Sequence, residues 1–220
     1  MALAVGTTHG RSILRIAAAG IGMFGLGLQF WLGVRHQHGP DLIQATINFF
    51  STFTVLTNAL AVCAMLAPQV APRTGVGRLF SRPSARTICT GYMLVTGAVY
   101  LLFLREGRGR ETWDVFADQM LHYVTPVLFA TDWLVFVRKG GVPPAMIGAS
   151  LVLPIGYGIW TLLHGAVTKW YPYPFLDVTQ LGLVRVLANL GALLALFAAV
   201  ALALVIADRK IERWTGCRRI

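Results

Sequence analysis

Six stretches of about twenty predominantly apolar residues recur along the chain, separated by short polar, basic or proline-containing segments. They run Ile13–Val34, Thr46–Leu66, Arg86–Leu104, Phe116–Val137, Pro143–His164 and Leu181–Ala207. At about 1.5 Å of rise per residue, such stretches as helices match the ~30 Å hydrocarbon core of a bilayer. The pattern predicts an all-α polytopic membrane protein, a single bundle of six transmembrane helices over residues 1–220 with no room for a soluble domain.

Polar positions inside these stretches are informative because ionisable groups in hydrocarbon are costly. In the second, NFFSTFTVLTN places Ser51, Thr54 and Asn58 at i, i+3 and i+7, on one helical face. The plainer use of such groups is to bond i−4 carbonyls or hold helices together. In the fourth, Asp118 and His122 lie one turn apart on the same face, so the acid is placed to orient an imidazole acting as a general base. A satisfied structural histidine is equally compatible with that spacing. Pro126 removes a backbone donor and crowds the carbonyl of His122, which predicts a disrupted helix there. Asp132, nearer the other end, is expected to pair with Arg138 or Lys139.

The remaining stretches add less. Gly20, Gly22, Gly25 and Gly27 in the first predict close helix packing. Pro154, Tyr157 and His164 mark the fifth as a kinked helix, and TKWYPYPFLDVTQ after it reads as an aromatic cap over one mouth of the bundle. Arg185 and Asn189 open the sixth at i, i+4, with Arg185 expected to snorkel or to pair with Asp177 or Asp118.

Composition agrees with the hydropathy pattern: 56% of the 220 residues are hydrophobic and 13% charged, with a mean hydropathy of +0.65. A net charge of +10 in a soluble chain would suggest nucleic acid, but here the basic residues sit in short segments between spans, and no nucleic-acid partner is expected. Arg11, Arg15, Arg73, Arg78, Arg82, Arg86, Arg138, Lys139, Arg209, Lys210, Arg213, Arg218 and Arg219 fall on one side; Arg35, Arg105, Arg108, Arg110, Lys169 and Arg185 fall on the other. The positive-inside rule then places both termini in the cytoplasm. The three cysteines form neither a disulfide framework nor a zinc site, and Cys63 and Cys89 are expected to be small core residues. Met1–Ser12 lacks the order of a signal peptide, so the first span is expected to remain as an anchor.

With that orientation, helical rise puts Thr54 roughly 12 Å and His122 roughly 9 Å below the outer ends of their spans. Asn58, Asp118, Tyr157, Arg185 and Asn189 fit the same layer, giving an expected polar pocket in the outer leaflet.

The ordered set NFFSTFTVLTN, LHYVTP, LPIGYGIWTLLHGAV and YPYPFLDV resembles the bacterial branch of the androgen-induced and androgen-dependent TFPI-regulating protein family. The resemblance covers most of the chain. It implies a six-span membrane hydrolase, in the bacterial inner membrane, that cleaves fatty acid esters of hydroxy fatty acids with a threonine nucleophile and a histidine. The family's threonine falls on Thr54 and its histidine on His122, while its YPFL segment with a following acid matches Tyr173, Pro174, Phe175, Leu176 and Asp177. Where animal members carry an Asn-His pair before the histidine, this chain has Asp118 and Gln119, and its Pro126 stands one residue from the family position.

Together these readings predict that His122 takes the proton of Thr54 as it attacks an ester, because an unassisted threonine hydroxyl is a weak nucleophile. Asp118 would orient His122, and Asn58, Asn189 or Arg185 would hold the oxyanion. Ser51, Tyr157, Tyr173, Phe175 and Asp177 would line the substrate pocket. The expected partners are the bilayer and a lipid or fatty-acyl ester. No cofactor is called for, and Asp118 with His122 lacks a third ligand for a metal. Two other classes use the same residues: a small proton- or ion-coupled transporter with Asp118, His122 and Arg185 as relay, and a non-enzymatic lipid-binding protein. The sequence does not specify an oligomeric state.

Overall fold

A computed structural model describes residues 2–104 and 112–216, with side chains over 10–104 and 112–215. Met1, Arg105, Arg108 and Arg110 of the expected charged loop, and Cys217, Arg218 and Arg219, lie outside the described residues. Every regular element among the described residues is helical. Five helices are long and apolar enough to cross a membrane: Gly10–Val34, Phe53–Val70, Pro83–Leu104, Met146–Thr168 and Leu183–Thr215. The chain is therefore a helical membrane protein.

In chain order the elements are α1 (Ala2–Val34), α2 (Pro40–Phe50), α3 (Phe53–Val70), α4 (Gly75–Ser81) and α5 (Pro83–Val99), which continues as a π turn (Tyr100–Leu104). After the undescribed residues come α6 (Thr112–Gln119), a second π turn (Met120–Val124) and α7 (Thr125–Phe136). Then follow α8 (Met146–Thr168), a 3₁₀ turn (Pro174–Leu176), α9 (Val178–Leu181) and α10 (Leu183–Gly216). The fourth predicted span is thus an unbroken helical run, α6 to α7, but it is not one of the five apolar helices.

The second predicted span is corrected. Thr46–Leu66 is not one helix: α2 ends at Phe50, and α3 starts afresh at Phe53. Thr52 is extended (φ −95°, ψ 138°) and caps α3, its hydroxyl accepting from Val55 N–H at 3.4 Å and donating to Phe49 O at 2.9 Å. Helical periodicity does not reveal this break, because Ser and Thr fit helix interiors and caps alike. The spanning helix starts at Phe53, so Thr54 is its second residue rather than one lying 12 Å deep. In α2 no residue is buried, and Ile43, Ile47 and Phe50 share one exposed face, as in a helix lying at a membrane interface.

Two apolar clusters share α3 and α5. One joins α1, α3, α5 and α7 through Ala18, Ala61, Met65, Met93 and Phe129; the other joins α3, α5, α8 and α10 through Phe53, Tyr92, Val95, Tyr157 and Phe197. Of the glycines in α1, Gly22 and Gly25 serve close approach: an added Cβ would stand 2.8 Å from Val62 Cγ2 and 3.0 Å from Met120 Cβ, respectively. Gly20 and Gly27 face open space. Cys89 is buried, but Cys63 is exposed, contrary to expectation for a core residue.

Asp132 is likewise corrected. It pairs with Arg15 of α1, Nε to Oδ1 at 2.6 Å and Nη2 to Oδ2 at 3.2 Å, and with Arg86 of α5 through Nη2 and Oδ2. All three residues are buried. Arg86 also donates to Ala64 O at 2.7 Å. Arg138 is exposed, and Lys139 instead caps α7, donating to the carbonyls of Val137 (2.7 Å) and Trp133 while its Nζ lies 4.2 Å from the Trp133 ring centroid. Burial pushes the Lys139 ammonium below its ordinary pKa, with Asp208 and Asp132 pulling it back up.

Candidate active site

The break before α3 decides what Thr54 does. Thr57, one turn further, donates to Phe53 O at 3.0 Å and meets Thr96 of α5 at 3.1 Å, the helix-joining use expected of a membrane threonine. The i−4 residue of Thr54 is Phe50, which belongs to α2, so the carbonyl that would occupy its hydroxyl is outside its helix. Thr54 Oγ1 lies instead 3.1 Å from His122 Nε2 and 3.3 Å from the Tyr173 hydroxyl.

His122 sits in the π turn ahead of Pro126. The Thr125 N–H reaches back five residues to Met120 O, and the Thr125 hydroxyl bonds the same carbonyl at 2.9 Å. That pattern leaves the carbonyl of Leu121 for Asn58, whose Nδ2 donates to it at 3.1 Å and to Thr54 O at 2.9 Å. The disruption expected from Pro126 is therefore a π turn tied to α3 by an amide. Gly97 of α5 lets this turn approach, since an added Cβ would meet His122 O at 2.9 Å.

The imidazole is fixed on both sides. His122 Nδ1 lies 2.9 Å from Asp118 O, and a carbonyl only accepts, so Nδ1 carries the proton and Nε2 presents its lone pair to Thr54. It is the main chain of Asp118 that makes this bond; its carboxylate Oδ1 stands 3.8 Å away. Tyr100, in the other π turn, stacks on the ring with centroids 3.9 Å apart and planes 17° from parallel. His122 and Tyr100 are both buried.

The loop after α8 closes the site. Lys169 ends α8 in the left-handed conformation (φ 60°), a helix-stop geometry. Tyr171 then packs directly against Gly165, and Tyr173 stacks on Phe175 at 5.3 Å. The Tyr173 hydroxyl accepts from Thr54 N–H at 3.3 Å at the N-terminus of α3, where helix N–H groups point outward. Burial pushes its phenol above the ordinary pKa, and its bonds to Thr54 oppose that shift, so it stays protonated at neutral pH.

The other predicted residues are distributed differently. Both Asn58 amide hydrogens are engaged on carbonyls, while its Oδ1 is buried without a partner among the described residues. Asn189 Nδ2 donates to Phe175 O at 2.7 Å, pinning the loop. Arg185 is exposed and lines neither of the two cavities beside Thr54. Asp177 caps α9, accepting from Thr179 N at 2.9 Å and Gln180 Nε2 at 2.7 Å; the Thr179 hydroxyl bond above all holds its carboxyl below the usual range. Ser51 O accepts from Tyr157 at 3.2 Å and Ser51 Oγ from Trp160 Nε1 at 3.0 Å, which anchors the start of α3 to α8. Tyr100 was not anticipated from sequence, because a tyrosine ending an apolar span looks like an interfacial anchor.

Thr54 stands between those two cavities. One, of about 360 Å³, lies among α3, α5, α8 and α10 and is walled by side chains such as Val95, Leu190, Leu193 and Phe197. The other, of about 350 Å³, lies among α1, α2, α3 and the π turns and includes Gln29, Asn48, Thr52, Asp118 and His122. Thr54, Leu104 and Tyr173 border both. Among the described residues no group of three metal-ligating side chains occurs. No protein-family model, characterised protein or solved structure matches this chain.

Proposed function

We propose that the protein is an intramembrane hydrolase of lipophilic esters, with Thr54 as nucleophile and His122 as general base. The observation that carries this reading is the 3.1 Å approach of Thr54 Oγ1 to Nε2 of an imidazole whose Nδ1 is held on a carbonyl. That is the pairing a hydroxyl needs for activation.

Thr54 Oγ attacks the ester carbonyl while its proton passes to His122 Nε2. The tetrahedral oxyanion is met by the neutral Tyr173 phenol, which the Thr54 N–H holds at the N-terminal end of α3. The C–O bond to the alcohol breaks, His122 returns the proton to the leaving oxygen, and an acyl-threonine remains. Water, deprotonated by His122, then attacks the acyl carbon, so ester and water give acid and alcohol and Thr54 regains its hydrogen. Stacking on Tyr100 favours the transient imidazolium. Both termini face the cytoplasm in this reading, as the distribution of basic residues requires, and the membrane is the bacterial inner membrane.

The test is hydrolysis of p-nitrophenyl esters by the purified protein, with fluorophosphonate labelling alongside. Thr54→Ala and His122→Ala should each lower kcat/KM by roughly 10³ or more, and Thr54→Ala should lose the label. Full esterase activity and labelling in both variants would sink the reading.

A further inference from the structure

We propose that the two cavities sort the two arms of the substrate: the acyl chain occupies the apolar cavity between α5, α8 and α10, and the alcohol arm occupies the polar cavity beside His122. This rests on the hydrolase reading and adds to it the direction in which the ester lies.

The direction follows from proton transfer. The alkoxide that leaves must take its proton from His122 Nε2, so the alcohol oxygen has to lie on the His122 side of Thr54. His122 borders the second cavity and not the first. The acyl carbon is bonded to Thr54 Oγ in the intermediate, and its chain must then extend away from His122, into the cavity on the other flank. Tyr173 stands at the boundary, bordering both cavities and bonded to Thr54, where the carbonyl oxygen sits between the two arms.

The linings agree with that division. The first cavity is walled mostly by hydrocarbon and aromatic side chains, with Pro154, Leu162 and Leu187 beside the residues already named, and suits an aliphatic chain. The second adds Gln29, Asn48 and Asp118, polar side chains for a polar substituent on the alcohol arm. After the alcohol departs, the same cavity admits the hydrolytic water on the side of its base. Both volumes fall at the lower end of the roughly 300–1,000 Å³ of small-ligand sites.

Two glycines allow each cavity to be filled separately. Gly191 of α10 lines the first and Gly33 of α1 the second, and a Cβ added at either meets nothing within 4 Å. The experiment measures kcat/KM for full-length protein in detergent against p-nitrophenyl esters of increasing acyl length and against butyrate esters of alcohols of increasing length. Gly191→Leu should lower activity on the longest acyl chains about tenfold or more while short acyl esters and the alcohol profile hold, since a lost methylene-sized space discriminates by roughly 10–200-fold. Gly33→Leu should do the reverse. Gly158→Ala, whose added methyl would lie 3.2 Å from Leu190 Cδ2 in the first cavity, is the milder second variant and should shift the acyl profile the same way. If the variants move the opposite series, or move both series alike, the assignment of arms is overturned while Thr54 and His122 stand. If the wild type cleaves neither series and Thr54→Ala is indistinguishable from it, the hydrolase reading fails and takes the assignment with it.

Discussion

At the scale of single residues, the site turns on which atoms face Thr54. Tyr173 offers a protonated phenol 3.3 Å from Thr54 Oγ1, whereas Asn58 spends both amide hydrogens on carbonyls and Asn189 donates to Phe175 O. Tyr173→Phe should therefore lower kcat by roughly 10²–10³, the usual cost of one oxyanion donor, with little change in KM or in thermal stability. An unchanged kcat would remove Tyr173 from the chemistry. Asp118→Asn separates two parts of one residue: the carbonyl that holds Nδ1 is retained and only the carboxylate, at 3.8 Å, is lost. Its kcat should fall about tenfold or less, against the 10²–10⁴ typical of losing a general base outright; a loss as deep as that of His122→Ala would give the orienting role to the carboxylate. Polarity in apolar surroundings marked His122 and the set Ser51, Thr54 and Asn58 as candidates in sequence, and the family resemblance singled out Thr54 and His122 among them. The role of the Asp118 carbonyl was not, since i, i+4 spacing brings the main chain and the side chain of residue i equally close to residue i+4.

Helices position these residues through their irregularities more than their regular turns. A π turn inserts one residue into the helix, which rotates the residues beyond it by about 100° relative to an unbroken α-helix. Pro126 cannot donate to His122 O, so the α-helical alternative at this point is short of one hydrogen bond. Pro126→Ala restores the donor, and the expected result is a fold that persists in circular dichroism while esterase activity drops by at least tenfold as His122 turns away from Thr54. Retained activity would mean that the π turn is held by Asn58 and Thr125 alone. Sequence announced the disruption through Pro126 but gave no sign of the break at Ser51–Thr52, because a threonine N-cap and a helical threonine are the same letter. The buried cluster of Arg15, Arg86 and Asp132 also belongs to this scale, joining α1, α5 and α7. Its partners lie 117 and 46 residues away from Asp132, whereas sequence reading favoured the neighbouring Arg138 and Lys139. Asp132→Ala leaves two buried cations facing each other and should destabilise the protein by about 3–5 kcal/mol in thermal unfolding in detergent. A change below about 1 kcal/mol would show that water reaches the arginines.

Across the whole molecule, the Thr54 site and the ionic cluster stand at separate depths. Gln29 and Tyr100 lie 14 residues beyond Arg15 and Arg86 on their helices, and His122 lies 10 residues before Asp132, so the site and the ionic cluster are roughly 15–21 Å apart along three helices. Between them lie the buried Ala18, Ala61, Met93 and Phe129, together with the hydroxyls of Thr57, Thr90 and Thr125, each donating to a preceding main-chain carbonyl. A proton relay through His122 would need a continuous chain of acceptors or water across that interval, and isolated threonine hydroxyls committed to helix carbonyls among apolar side chains do not make one. A hydrolase has no such need, because substrate, water and products all use the Thr54 end. The two readings separate in proteoliposomes carrying an imposed pH gradient and an internal pH dye. The gradient should decay at the rate of protein-free vesicles, and the same with His122→Ala, while ester added to those vesicles is cleaved by the wild type alone. Decay that is accelerated by the wild type and slowed to the vesicle rate by His122→Ala would make the histidine part of a conduction path and would require the apolar layer to open.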